Sequence, residues 1–116
     1  MKKLYISIFL AGFVLLFILA PLRQKGAVGE KSANFYFDRG LSYMKKSQPE
    51  RALADFTKAL ELNPRMADAY FNRGVAYFNK KEFDKAWKDV QKAQSLGLKV
   101  DPGFLQKLRQ ASGRDK

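Results

Sequence analysis

The stretch ANFYFDRGLSY, Ala33 to Tyr43, returns with small changes as ADAYFNRGVAY, Ala67 to Tyr77. The offset of 34 residues persists downstream: Ala52 maps to Ala86, Asp55 to Asp89, Lys58 to Lys92, Ala59 to Ala93 and Leu62 to Leu96. A fixed period of this size means one supersecondary unit used twice, each copy burying its apolar side on the next.

Within the first unit the spacing predicts a helix from Ala33 to Lys45 with Ser32 as its cap. Tyr36, Gly40 and Tyr43 fall on one face, and Phe37, Leu41 and Met44 on an adjacent one. Glycine inside a helix costs about 1 kcal/mol relative to alanine. Its return as Gly74 therefore predicts close helix approach, with no room for a Cβ. Ser47 and Gln48 make a turn, and Pro49 opens a second helix to Leu62 with Ala52, Leu53, Phe56, Ala59 and Leu60 buried. Asn63 and Pro64 end it. The second unit predicts helices over Ala67–Asn79 and Phe83–Ser95. It departs from the first at Val90, where an aromatic is expected, and at Leu98, where the terminal proline is expected, so its exit stays open.

Gly40, Tyr43, Ala52, Phe56, Ala59 and Pro64 match the Gly, Tyr, Ala, Phe, Ala, Pro pattern of the tetratricopeptide repeat, which residues 33–100 resemble. The resemblance implies an all-α fold: two helix–turn–helix hairpins stacked as a short right-handed α-solenoid. The expected divisions are 33–66 and 67–100 for the repeats, 101–112 for a C-terminal capping helix and 113–116 for a tail. Asp101 and Pro102 start the capping helix, and Phe104, Leu105 and Leu108 form its apolar face. Trp87 is expected to pack against it.

The opening is of another kind. Lys2 and Lys3 precede an uncharged run from Leu4 to Ala20. As a helix this run rises about 26 Å, a little short of a ~30 Å hydrocarbon core. Residues 1–22 are therefore read as one N-terminal transmembrane anchor, with a cleaved signal sequence as the alternative. The apolar run is long for a signal peptide, and neither Ala20 nor Ala27 sits in a good cleavage pattern. Residues 23–32 read as a flexible tether. A short basic tail ahead of the first apolar run favours placing the repeats on the extracytoplasmic side. Cleavage would make the protein secreted or periplasmic.

Cysteine and histidine are absent. That excludes disulfides, thiolate chemistry, cysteine-ligated metals and the usual general base. No catalytic, cofactor-binding or metal-ligating constellation stands out, and no enzyme activity is expected. By resemblance, the expected role is a non-catalytic scaffold holding a peptide or protein surface in the groove lined by the first helix of each repeat. The groove positions are Asn34, Phe37, Asp38, Leu41, Met44 and Lys45, then Asp68, Phe71, Asn72, Val75, Phe78 and Asn79. Some family members clamp a C-terminal carboxylate with lysines and asparagines. Only Asn72 falls in that register here, since Phe37, Leu41, Pro102 and Gln106 stand at other clamp positions.

Lysine and arginine number 22 against 11 acidic residues, a net charge of +11. The alternative function is therefore a basic domain binding nucleic acid or acidic lipid headgroups, through Lys80, Lys81, Lys85, Lys88 and Lys92. Glu82, Asp84 and Asp89 interrupt that run and no nucleic-acid motif accompanies it, so nucleic acid is not the expected partner. The broad apolar flanks of a two-repeat array also suit self-association.

Overall fold

The computed structural model describes residues 31–114. The expected anchor and nearly all of the expected tether lie outside them. Five helices follow one another: α1 (Ala33–Lys45), α2 (Pro49–Leu62), α3 (Ala67–Asn79), α4 (Phe83–Ser95) and α5 (Pro102–Ser112). The described residues are all-helical, with no strand. Among them no helix is long and apolar enough to cross a membrane.

Local signals start α1, α2 and α5 and end α1, α3 and α4. The Ser32 hydroxyl accepts from the Phe35 amide at 3.2 Å, and the Asp101 carboxylate from the Phe104 amide at 3.0 Å, each satisfying a donor the first turn leaves free. Pro49 and Pro102 occupy first-turn positions, where the missing N–H costs nothing. At the end of α1 the Ser47 amide donates to the Met44 carbonyl (3.0 Å) and the Gln48 amide to the Tyr43 carbonyl (2.9 Å). This paired closure requires a left-handed residue, and Ser47 supplies it at φ 56°. The end of α3 repeats the device through Lys81 at φ 64°, with Lys81 bonded to Phe78 and Glu82 to Tyr77, both at 2.9 Å.

The uncertain exit of the second repeat resolves the same way. Gly97 adopts φ 98° and the Leu98 amide donates to the Ala93 carbonyl at 3.1 Å, so α4 stops without a proline. In the first repeat, by contrast, the Asn63 side chain accepts from the Arg65 amide at 3.1 Å just before the chain turns into α3.

Stacking joins sequence neighbours: α1 lies on α2, α2 on α3, α3 on α4 and α4 on α5, with α1 also touching α3. Small residues set the spacing. Ala52, Ala59, Ala69, Ala76, Ala86 and Ala93 have no exposed surface, and Phe56 fills the first hairpin with none exposed either. Burying a side chain of that size contributes about 2–3 kcal/mol. A Cβ on Gly40 would stand 2.6 Å from Phe56 Cε1, so the glycine and the phenylalanine are one packing unit. At Gly74 the smaller Val90 relaxes the fit, and a Cβ would meet Val90 Cγ2 at 3.1 Å and the Ala86 carbonyl at 3.2 Å.

The last helix closes the array. Leu108 is fully buried in one cluster with Ala86 and Val90, and Trp87, Phe104 and Leu105 pack around it. Trp87 is thus a packing residue at the α5 junction, with the Arg114 guanidinium 5.5 Å from its ring.

Candidate functional site

The first helix of each repeat presents the candidate face. On α1, Asn34, Asp38 and Lys45 are exposed, while Phe37, Leu41 and Met44 are half-buried. On α3, Asp68 and Asn79 are exposed, and Phe71, Asn72, Val75 and Phe78 are half-buried. Polar residues thus stand exposed beside partly covered apolar ones on both helices. The aromatic members have packing partners of their own. Phe37 lies 5.9 Å from the Phe56 ring, Phe71 lies 5.5 Å from Phe104, and Phe78 lies 5.6 Å from Phe104 and 5.5 Å from Phe83. In the second repeat α5 therefore shelters the two phenylalanines that the sequence places on the groove floor. Leu41, Met44 and Val75 take part in no such ring stack. The Asn72 amide donates to the Asp68 carbonyl at 2.8 Å, which fixes its orientation along α3.

Four sets of contacts recur at the repeat offset. Arg39 grips Asp55 from Nε at 2.7 Å and Nη2 at 2.8 Å, and Arg73 grips Asp89 from Nε and Nη2, both at 2.8 Å. Each arginine also lies over the tyrosine three residues earlier, Tyr36 at 5.5 Å and Tyr70 at 5.7 Å. Arg51 lies 5.7 Å over Tyr43, and Lys85 5.5 Å over Tyr77. Lys80 reaches Glu50 at 2.7 Å, and Arg114 reaches Asp84 at 2.8 Å. The sequence shows the recurrence of Arg39 as Arg73 and of Asp55 as Asp89, but not that they pair.

Burial separates the two bidentate pairs. Asp55 and Asp89 are both nearly covered, but the Arg39 side chain is 43% exposed and the Arg73 side chain 19%. Arg73 is covered because α2 packs alongside, and it adds a hydrogen bond to Thr57 Oγ1 at 3.3 Å. The hydrogen-bonded Asp89 carboxylate outweighs burial and raises the Arg73 pKa above its ordinary value. At the α3–α4 turn, Lys80 lies between Glu50 (2.7 Å) and Glu82 (3.3 Å), and its pKa is raised, chiefly by the hydrogen bond to Glu50. Burial works against a charged Glu82, yet Lys80 and Lys85 together outweigh it and hold the carboxyl below the usual glutamate value. Glu82 Oε2 is buried without a hydrogen-bond partner, and Lys85 Nζ lies 3.6 Å from it.

Among the described residues no group of three acidic side chains converges as a metal site. Asp84 and Asp89 face different arginines and do not form a carboxylate pair.

No curated protein matches the chain. Residues 37–97 match the family model described as Tetratricopeptide repeat, a span running from the first helix of one hairpin to the exit of the next. With more than half of its length inside that match and two stacked hairpins in the structure, the chain belongs to the tetratricopeptide repeat family.

Proposed function

We propose that this chain, in keeping with the general role of tetratricopeptide repeats as protein-interaction modules, is a non-catalytic scaffold that uses the α1/α3 face as a shallow groove for a peptide or protein surface, in a short right-handed solenoid. In this reading residues 4–22 tether the array to a membrane, and the repeats lie on its extracytoplasmic side. The observation that carries the reading is the partly covered apolar set Leu41, Met44 and Val75, with Asn34, Asp38, Lys45 and Asn79 exposed on the same helices. Apolar surface framed by polar groups is what interaction faces present.

Phe37 and Phe71 are poor probes, because their rings also hold Phe56 and Phe104 in place. Leu41→Glu combined with Val75→Glu tests the groove with less disturbance of the packing. Full-length chain purified from detergent-solubilised membranes should lose its co-purifying partner on this double substitution while keeping its helical circular dichroism. Retention of the same partner at the same yield overturns the groove. The tether has a separate test: the N-terminus of the mature protein, read by mass spectrometry, should begin at Met1. A start after Ala20 or Ala27 removes it.

A further inference from the structure

Around one cleft of the second repeat the charges differ from those at the equivalent positions of the first. Between α3 and α4 lies a cleft of about 510 Å³, lined by Tyr70 and Arg73 from α3 and by Lys88, Gln91, Lys92 and Ser95 from α4, beside the Asp89 carboxylate. The 34-residue offset pairs these with Tyr36, Arg39, Ala54, Thr57, Lys58, Glu61 and Asp55. The arginine, the aspartate and the tyrosine are common to both. The charges around them are not. In the first repeat Lys58 faces Glu61 at 3.7 Å, and Ala54 is neutral. In the second, Ala54 has become Lys88, and Glu61 has become Ser95, whose hydroxyl donates to the Lys92 carbonyl at 2.7 Å.

The cleft thus gains a cation and loses an anion. Its one carboxylate, Asp89, is committed to both donor groups of Arg73. Neither Lys88 nor Lys92 has an ion-pair partner among the described residues. Lys85, their neighbour on the helix, is instead occupied by Glu82 and by the Tyr77 ring. Two ammonium groups without ion-pair partners among the described residues thus sit one helical turn apart, beside an amide and a phenol, the donor set a compact dianion needs.

We propose that this cleft binds a terminal phosphate dianion, presented either as free inorganic phosphate or as the monoester headgroup of a lipid. The site shares no residue with the α1/α3 face and stands or falls separately from it.

The test uses the full chain in zwitterionic nanodiscs, titrated with inorganic phosphate and, in a second arm, prepared with and without phosphatidic acid in the bilayer. The amide NMR signals of Tyr70 and Lys92 should shift saturably. Ser95→Glu, which restores the acid of the first repeat at an exposed position, should weaken binding about ten-fold, as should Lys88→Ala. Removing two charges elsewhere, Lys107→Ala with Arg109→Ala on α5, should change the affinity less than about two-fold. Shifts with both ligands identify soluble phosphate as sufficient, and shifts only with phosphatidic acid identify the headgroup. No saturable shift in either arm overturns the site, and so does an equal loss in the α5 variant, which would mean a diffuse cationic surface.

Discussion

Arg73 holds Asp89 by two parallel hydrogen bonds of 2.8 Å, and Arg39 holds Asp55 in the same way one repeat earlier, at 2.7 and 2.8 Å. Each pair spans sixteen residues and clamps the two helices of its own hairpin. Their surroundings differ, because α2 covers Arg73 while no helix among the described residues precedes α1 to cover Arg39. A charge-assisted fork of this kind fixes geometry as well as contributing energy.

Asp89→Ala leaves the Arg73 guanidinium half-buried without a counter-charge, its remaining hydrogen bond the one to Thr57 Oγ1. The loss should be about 2–3 kcal/mol, read as a lower urea midpoint at unchanged slope. Asp55→Ala should cost less, since water reaches Arg39. Equal midpoints for the two variants would contradict this ranking.

Gly40→Ala drives a methyl to 2.6 Å from Phe56 Cε1, and overpacking of that kind costs about 1–3 kcal/mol. Gly74→Ala meets Val90 at 3.1 Å and recovers about 1 kcal/mol of helix propensity, so it should be close to neutral. Placing Gly40→Ala on a Phe56→Val background, the pairing that the second repeat approximates, should relieve the clash. A double-mutant cycle without coupling would show that the glycine and the ring do not form one unit.

Ser47 and Lys81 hold left-handed backbone at φ 56° and 64°. Ser47→Gly and Lys81→Gly should each raise the melting temperature, by roughly 1 kcal/mol of stability, because glycine has no Cβ to crowd there. The same exchange at Ser42, inside α1, should lower it.

Glu82 is held below the usual glutamate value by Lys80 and Lys85. Its contribution is therefore complete above the unfolded-state value of about 4.3 and is lost as pH falls through the lower folded value. Lys80 has the opposite sense: raised by Glu50, it contributes fully below about 10.4 and is lost as pH rises past its folded value. Glu82→Gln should flatten the acid limb of stability against pH, and Lys80→Met the alkaline limb.

Leu108→Ala should cost about 3 kcal/mol and increase binding of an apolar dye, because Leu108 fills the α4–α5 junction without exposed surface. Phe104→Ala should have a milder effect on stability and make Phe71 and Phe78 more accessible.

The helices were legible because their punctuation is local. Ser32, Pro49, Pro64 and Asp101 each act within a turn of themselves, and the return of Gly40 as Gly74 pointed to close helix packing. What the residues hid was long-range. Arg39 and Asp55 look like two solvated charges until α1 and α2 are set side by side. The cover that Phe104 puts on Phe71 and Phe78 lies beyond the last periodic residue, where the repeat no longer indicates what comes next. Leu98 left the exit open for a subtler reason: the missing proline is replaced by the left-handed Gly97, a different way to stop a helix with the same result. The α1/α3 face stands between these cases. Its residues follow from the repeat register, but their share of packing depends on neighbours such as Phe104 that lie outside the repeat.

Because α5 plugs the C-terminal end with Leu108 and Phe104, the molecule has a direction. A further hairpin could not simply be laid on the outer side of α5, which presents only exposed residues such as Gln106, Lys107 and Arg109. It would have to be spliced in between Ser95 and Asp101, carrying the stopper outward, much as a zip is lengthened above its end-stop.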